Sequence, residues 1–238
     1  MIGGFIVTGD VAKKVALRAV GPSMAKAGIA GVMADPVLDL YDSTGSLIDQ
    51  DDNWTSLSSA VVDGGLTPKD PAESLIEATL PPGSYTVVLR GANGSSGVAL
   101  CELYDLDPDN SDVSNISTRG PVGLEDQVLI GGFIIGGLDP TKVLVRAIGP
   151  SLTSAGVAGA LQNPILELHD SDGSLIFRSD DWRSDQEQQI VDTTVPPSDD
   201  RESAIVATLP PGAYTAIVRG AGATTGVALV EIYNLEGQ

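Results

Sequence analysis

Cysteine is nearly missing from this chain: Cys101 stands alone among 238 residues. A single thiol excludes a disulfide framework and a cysteine-ligated zinc site. It fits either a cytosolic protein or an exported bacterial β-protein. Histidine is as scarce, and His169 leaves a histidine-activated nucleophile with a single candidate base. Basic charge is thin, with 13 Lys and Arg against 32 Asp and Glu and a net charge of −19. Such a polyanion repels phosphate backbones, so no nucleic acid is expected as partner. It also avoids anionic membrane surfaces unless divalent cations bridge the two. Aromatic residues make up 4%, too few to suggest a flat platform for sugar stacking, although a polar sugar pocket stays open. No apolar run approaches the ~18 residues of a membrane-spanning helix, so no membrane insertion is expected. No charged-then-apolar leader follows Met1. The chain is expected to begin at a trimmed or processed end, so that absence does not argue against export.

What is present suffices for a core: 42% of residues are hydrophobic, which supports burial rather than disorder. The chain also repeats itself. "IGGFIVTG" at Ile2 returns as "IGGFIIGG" at Ile130, and "VALRAVGPSM" at Val15 as "VLVRAIGPSL" at Val143. "DPVLDLYDSTGSLI" from Asp35 returns as "NPILELHDSDGSLI" from Asn163. The segment "ATLPPGSYTVVLRGANGSSGVALCELYDL" from Ala78 returns from Ala207 as "ATLPPGAYTAIVRGAGATTGVALVEIYNL". The offset grows from 128 to 129 residues, which places one insertion between Trp182 and Glu202. The expected organisation is a first copy over residues 1–107, a linker or lead-in strand over 108–127, and a second copy over 128–238.

Both copies read as strands. "VLDLYD" alternates strictly, while "TVVLRG" and "VALCELYDL" combine alternation with β-branched residues. Turns fall at Asp42–Gly45, Pro81–Gly83 and Asn93–Gly94. One short Ala-rich stretch, Pro22–Ala30, tolerates a helix. About seven strands per copy, spaced as in a sandwich, predict an all-β protein. Its expected form is two tandem β-sandwich domains of jelly-roll or Ig-like type from an internal duplication.

The stretch "YDSTGSLIDQDDNW", Tyr41–Trp54, gathers four aspartates around one glycine. A tight turn at Asp42–Gly45 sets Asp42 opposite about Leu47, Asp52 opposite Val37 and Asn53 opposite Pro36. Asp42 and Asp52 then lie on the order of 15 Å apart, too far to share one calcium ion. Asp49 and Asp51 align with Phe177 and Ser179 in the second copy and read as surface charge. What recurs is Asp52/Asp180, Asn53/Asp181 and the tryptophans Trp54/Trp182, near Asp35/Asn163 on the neighbouring strand. Asp35, Asp52, Asn53, Asn163, Asp180 and Asp181 therefore form the candidate calcium set, with Glu73 or Glu202 as a further oxygen donor. The competing reading is a capped strand end whose tryptophan seals the core. "DSDG" at Asp170 has the start of an EF-hand loop, but lacks the third acidic position and the closing bidentate Glu.

No catalytic constellation is expected. His169 aligns with Tyr41 and Cys101 with Val230, so neither recurs. Glu73/Glu202 and Glu102/Glu231 do recur as paired carboxylates. Arg18/Arg146 and Arg90/Arg219 recur beside them, and structural ion pairs account for both sets. No phosphate loop, dinucleotide fingerprint, nucleophile elbow or zinc spacing occurs.

The motif set running from "DPVLDLYDSTGSLI" through "DDNW" and "ATLPPGSYT" to "GVALCELYDL" resembles repeat modules of large exported proteins of environmental bacteria. Its "LDLYDSTGSLI" and "LPPGSYT" portions are similar to the pre-peptidase C-terminal domain family, a β-sandwich attached to secreted proteases. The resemblance implies an exported, non-catalytic, extracellular or cell-surface module used for attachment or assembly. Copies of itself or other surface polymers are the expected partners, and no cofactor is expected beyond calcium in the alternative role of calcium-dependent polysaccharide binder. The lead-in "SNISTRGPVGLEDQVL" precedes only the second copy, so the first is expected to expose a strand edge that a neighbour completes.

Overall fold

Acidic Asp–Gly turns close a hairpin in each half of the chain. In the computed structural model, which describes residues 1–107 and 112–236, Asp42 accepts hydrogen bonds from the Thr44 and Ser46 amides at 2.8 and 3.0 Å. Gly45 supplies the positive φ of +81° that the turn needs. Asp170 does the same for the Asp172 and Ser174 amides, at 3.0 and 2.9 Å. With 49% strand and 10% helix the protein is predominantly β, and its sheets are antiparallel. The chain divides into two compact units, Met1–Ser114 and Asn115–Gln238.

The first unit carries β1 (Ile2–Thr8), β2 (Lys13–Val20), α1 (Pro22–Ala25), β3 (Pro36–Tyr41), β4 (Leu47–Asp51), α2 (Ser59–Asp63), β5 (Ser74–Leu80), β6 (Gly83–Gly91) and β7 (Leu100–Asp105). One sheet runs β1-β6-β3-β4 and the other β5-β2-β7. Alternation along β6 buries Tyr85, Val87 and Leu89, and β2 buries Val15, Leu17 and Ala19. The hairpin register pairs Leu38 with Asp51, Asp39 with Gln50 and Leu40 with Asp49. A bulge after Leu40 then sets Tyr41, not Asp42, opposite Leu47.

The second unit holds most of β8 (Asp112–Val122), then β9 (Leu129–Ile135), β10 (Thr141–Ile148), α3 (Ser151–Ser154), β11 (Pro164–His169), β12 (Leu175–Ser179), α4 (Glu187–Val191), β13 (Ser203–Leu209), β14 (Gly212–Gly220) and β15 (Gly226–Asn234). Its sheets run β12-β11-β14-β9 and β13-β10-β15-β8. Leu166, Leu168, Val145, Ala216, Val218 and Val230 are among the fully enclosed residues of its core. Within the segment 108–127, expected as a linker or lead-in strand, residues 115–122 of β8 pair antiparallel with β15, from Asn115↔Tyr233 to Val122↔Gly226. Residues 108–111 lie outside the described residues.

The "PPGxYT" repeat has a local reason. The Tyr85 and Tyr214 hydroxyls donate to the carbonyls of Pro81 and Pro210, at 2.6 and 2.8 Å. Their rings stack on Phe5 and Phe133 at 5.3 and 5.4 Å. The helix-tolerant stretch at Pro22 makes one turn only, ending before Gly28, whose φ is +87°. Two further short helices, α2 and α4, sit in the loops between the hairpins and the following strands, where no apolar period announced them.

Candidate functional site: buried glutamates and acidic strand ends

Glu73 and Glu202 are fully buried. Their partners are main-chain amides and a serine, not the arginines expected from the sequence. Glu73 Oε1 accepts from the Gly21 and Ser23 amides at 3.3 and 2.9 Å and from the Ser23 hydroxyl. Its Oε2 accepts from the Lys69 and Asp70 amides at 3.1 and 3.3 Å. Glu202 repeats the arrangement with Gly149, Ser151 and Asp199. The "GPS" turn after β2 and β10 thus points its amides at a glutamate 50 to 53 residues onward. The glutamate's own carbonyl accepts from the Trp54 or Trp182 amide, at 3.0 and 2.9 Å. Each glutamate, through its carboxylate and its main-chain carbonyl, ties together three segments of its unit.

The other recurring glutamates do pair with arginine. Arg18 Nε donates to Glu102 at 2.6 Å, and Arg146 Nε to Glu231 at 3.0 Å. The Tyr104 and Tyr233 hydroxyls donate to the same carboxylates at 2.8 and 3.1 Å. Burial, reinforced by the adjacent carboxylate, pushes both phenols up to about 12. The guanidiniums also donate to the Leu66 and Val195 carbonyls at 2.8 and 2.5 Å, tying down the long loops.

Of the candidate calcium set, Asp52, Asn53 and Asp181 are exposed, whereas Asp35, Asn163 and Asp180 are half-buried. The strand ends that carry them are joined by a serine. The Ser74 hydroxyl contacts the carbonyls of Pro36 and Asp52. Ser203 lies 2.7 Å from the Pro164 and Asp180 carbonyls and 3.1 Å from that of Ser179. The Asp35 and Asn163 carbonyls accept from Ala92 and Ala221, both at 2.9 Å. One side-chain oxygen each of Asp35, Asn163 and Asp180 is buried without a hydrogen-bond partner. Among the described residues, no three His, Cys, Asp or Glu side chains group as metal ligands.

Asp51 is not surface charge. Its carboxylate accepts the Leu75 amide at 2.8 Å, and burial pushes it up. In the second unit the Ser179 hydroxyl accepts the equivalent Ala204 amide at 3.3 Å, which explains how the two copies tolerate different residues. Asp51→Ser should therefore stay within about 1 kcal/mol of the parent, whereas Asp51→Ala should lose about 1–2 kcal/mol by orphaning that amide. Urea midpoints compare the two, and equal losses would reject the shared role.

Asp39 is buried on β3 against Arg90, with contacts of 2.8 and 3.2 Å, and against Gln50. Burial raises its carboxyl, but the bonds from Arg90 and Gln50 outweigh that and hold it below the usual aspartate range. A depressed carboxyl stabilises the fold above its unfolded value, and that stability is lost as pH falls through the folded value. Asp39→Asn should lower stability at neutral pH and flatten the acid limb below about pH 4. Denaturation midpoints across that window test it; parallel acid limbs for both chains would contradict the assignment.

Two clefts occupy matching places. One of 410 Å³ between β4 and β5 is lined by Asp49, Asp51 and Glu77. One of 230 Å³ between β12 and β13 is lined by Phe177, Arg178 and Gln186. The acidic residues of the first are not repeated in the second. His169 faces Glu167 at 3.6 Å and the Gly173 carbonyl at 3.1 Å. The Cys101 thiol is pushed up to about 12 by burial and the Glu102 charge, which makes it a poor nucleophile.

No protein-family profile and no characterised protein sequence matches the chain. Solved structures resemble it loosely. PNGF-II is 11% identical with a TM-score of 0.25, the match covering 100% of this chain and 60% of that one. The infectious bursal disease virus VP2 subviral particle is 10% identical with a TM-score of 0.22, over 98% and 59% of the two chains. The chain therefore spans about three-fifths of the length of these proteins.

Proposed function

We propose that this protein is a non-catalytic structural or adhesive module of the bacterial exterior. Its two units are read as tandem β-sandwiches of jelly-roll or Ig-like type from one duplication. Copies of the chain link head to tail by strand complementation, and other surface polymers are the further partners. One observation carries the reading: three pairs of carboxylates that recur in both copies are consumed by internal bonds. Glu73/Glu202 hold amides, Glu102/Glu231 hold arginine and tyrosine, and Asp42/Asp170 hold turns. Carboxylates used in this way support a scaffold rather than acid–base chemistry. The resemblance to exported repeat modules and the acidic surface support the extracellular location. Light scattering and electron microscopy of the purified chain test assembly; a chain that stays monomeric with and without calcium removes it.

A second reading, calcium-dependent binding of a polysaccharide or another surface polymer, draws on the unpartnered oxygens of Asp35, Asn163 and Asp180. An oxygen without a hydrogen-bond donor is suited to a hard cation. Calorimetry with millimolar calcium decides this reading, and the absence of heat sinks it.

A further inference from the structure

The same strand ends in two different environments in the two units. β15 pairs with β10 on one side and β8 on the other, whereas among the described residues its counterpart β7 pairs with β2 and ends its sheet. The aliphatic positions of the strand and Cys101 register the difference. Ala228, Val230 and Ile232 are buried, but Ala99, Cys101 and Leu103 are only half-buried. Val98 and Leu100 are 51% and 45% exposed. β15 is regular over nine residues and β7 over six. A partner-free edge both exposes main-chain polar groups and leaves the core margin wet.

The covering strand in the second unit shows what this edge accepts. Val122 is buried in the core and Ile116 packs against it. The Asn115 side-chain amide donates to the Ile232 carbonyl at 3.1 Å. Gly120 is buried, and a methyl there would come within 3.1 Å of Leu129. The acceptor strand's side of this contact recurs in the first unit as Gly97, Ala99, Glu102, Leu103 and Tyr104.

We propose that the open edge of β7 receives an antiparallel strand from a neighbouring polypeptide. That strand carries the residue pattern of Asn115–Val122, with apolar residues in place of Ile116 and Val122 and a small one in place of Gly120. Asn115 pairs with Tyr233 in the second unit, so the incoming asparagine comes to lie opposite Tyr104, and its valine opposite Gly97. This inference rests on the assembly reading for the source of the strand and specifies the site and its ligand. Main-chain bonds supply affinity and the alternate side chains supply specificity.

The test uses the full chain and a synthetic peptide of residues 112–123. Cys101, the single thiol, lies on the edge strand itself; its raised pKa makes modification by a disulfide reagent slow in the free chain, and covering the edge slows it further, as read at alkaline pH. The expected result is one peptide per chain, severalfold slower Cys101 modification and new amide-exchange protection over residues 100–105. A peptide with Val122→Asp should bind about 10- to 100-fold more weakly, because a buried valine is lost. Unchanged thiol reactivity and unchanged exchange at millimolar peptide would overturn the proposal. So would equal effects from a scrambled peptide, or protection gained only over 226–234. Assembly is scored separately by light scattering. A chain that takes the peptide but never self-associates keeps the edge assignment and loses the head-to-tail reading; a chain that self-associates but ignores the peptide does the reverse.

Discussion

Glu202→Gln lowers the stability of the second unit by about 2–4 kcal/mol, because it turns an amide donor toward amides that are donors themselves. Gly149, Ser151 and Asp199 all present N–H groups to this carboxylate, and Ser151 adds its hydroxyl. Glu202→Ala is expected to cost about 4–5 kcal/mol, since it strands those donors and opens a cavity. Against a total of about 5–15 kcal/mol for a domain of this size, such a loss leaves the unit near its unfolding threshold. Each unit has one tryptophan, so a Trp54→Phe background isolates Trp182 as the fluorescent reporter of the second unit. A denaturation midpoint that places Glu202→Gln within about 0.5 kcal/mol of its parent would remove the glutamate from this role. The same substitution at Glu73 should act on the first unit, where one further amide, that of Lys69, faces the carboxylate.

The second large effect is expected at Gly149. A Cβ on this residue would stand 2.2 Å from the Leu161 carbonyl oxygen and 3.3 Å from the Pro164 ring. The obstacle is main chain, so no rotamer change relieves it. Leu161 is itself held by its amide bond to the Val227 carbonyl at 2.8 Å. Moving Gly149 instead would pull its amide from Glu202. Gly149→Ala should therefore cost about 3 kcal/mol or more. Gly132→Ala is the control. Its nearest neighbour would be the Tyr214 carbonyl at 3.8 Å, so it should change stability by less than about 1 kcal/mol. Similar losses at the two positions would show that glycine is needed for something other than this close approach.

These effects centre on residues whose importance was only half legible in the sequence. The recurrence of "GPS" and of Glu73/Glu202 marked them as part of the repeated design. Nothing within a few residues of either indicated that they meet. The arginines nearby suggested ion pairs, which is correct for Glu102 and Glu231 and incorrect for Glu73 and Glu202. Asp51 was misread for a related reason. Its replacement by Ser179 in the second copy makes it read as dispensable surface charge, although a hydroxyl and a carboxylate accept the same amide. The lead-in reads as linker or lead-in strand because it is polar, contains Pro and Gly, and "SNISTRGPV" lacks the apolar alternation that announces a strand. Its regularity comes from β15, whose edge offers the hydrogen bonds.

By itself the sequence determined what is local. Alternation placed the strands, Asp–Gly and Pro–Pro–Gly placed the turns, and the hairpin's length placed Asp42 and Asp52 at opposite ends. Those features depend on the two-residue period of a strand and on the backbone angles a turn demands, both encoded within a few positions. Tertiary structure alone decided which amides surround Glu73 and Glu202, which acceptor satisfies the Leu75 amide, and why β15 is covered while β7 is not. Each of these is a meeting between segments distant in sequence, and its physical basis is that a buried polar group must find a partner wherever packing brings one.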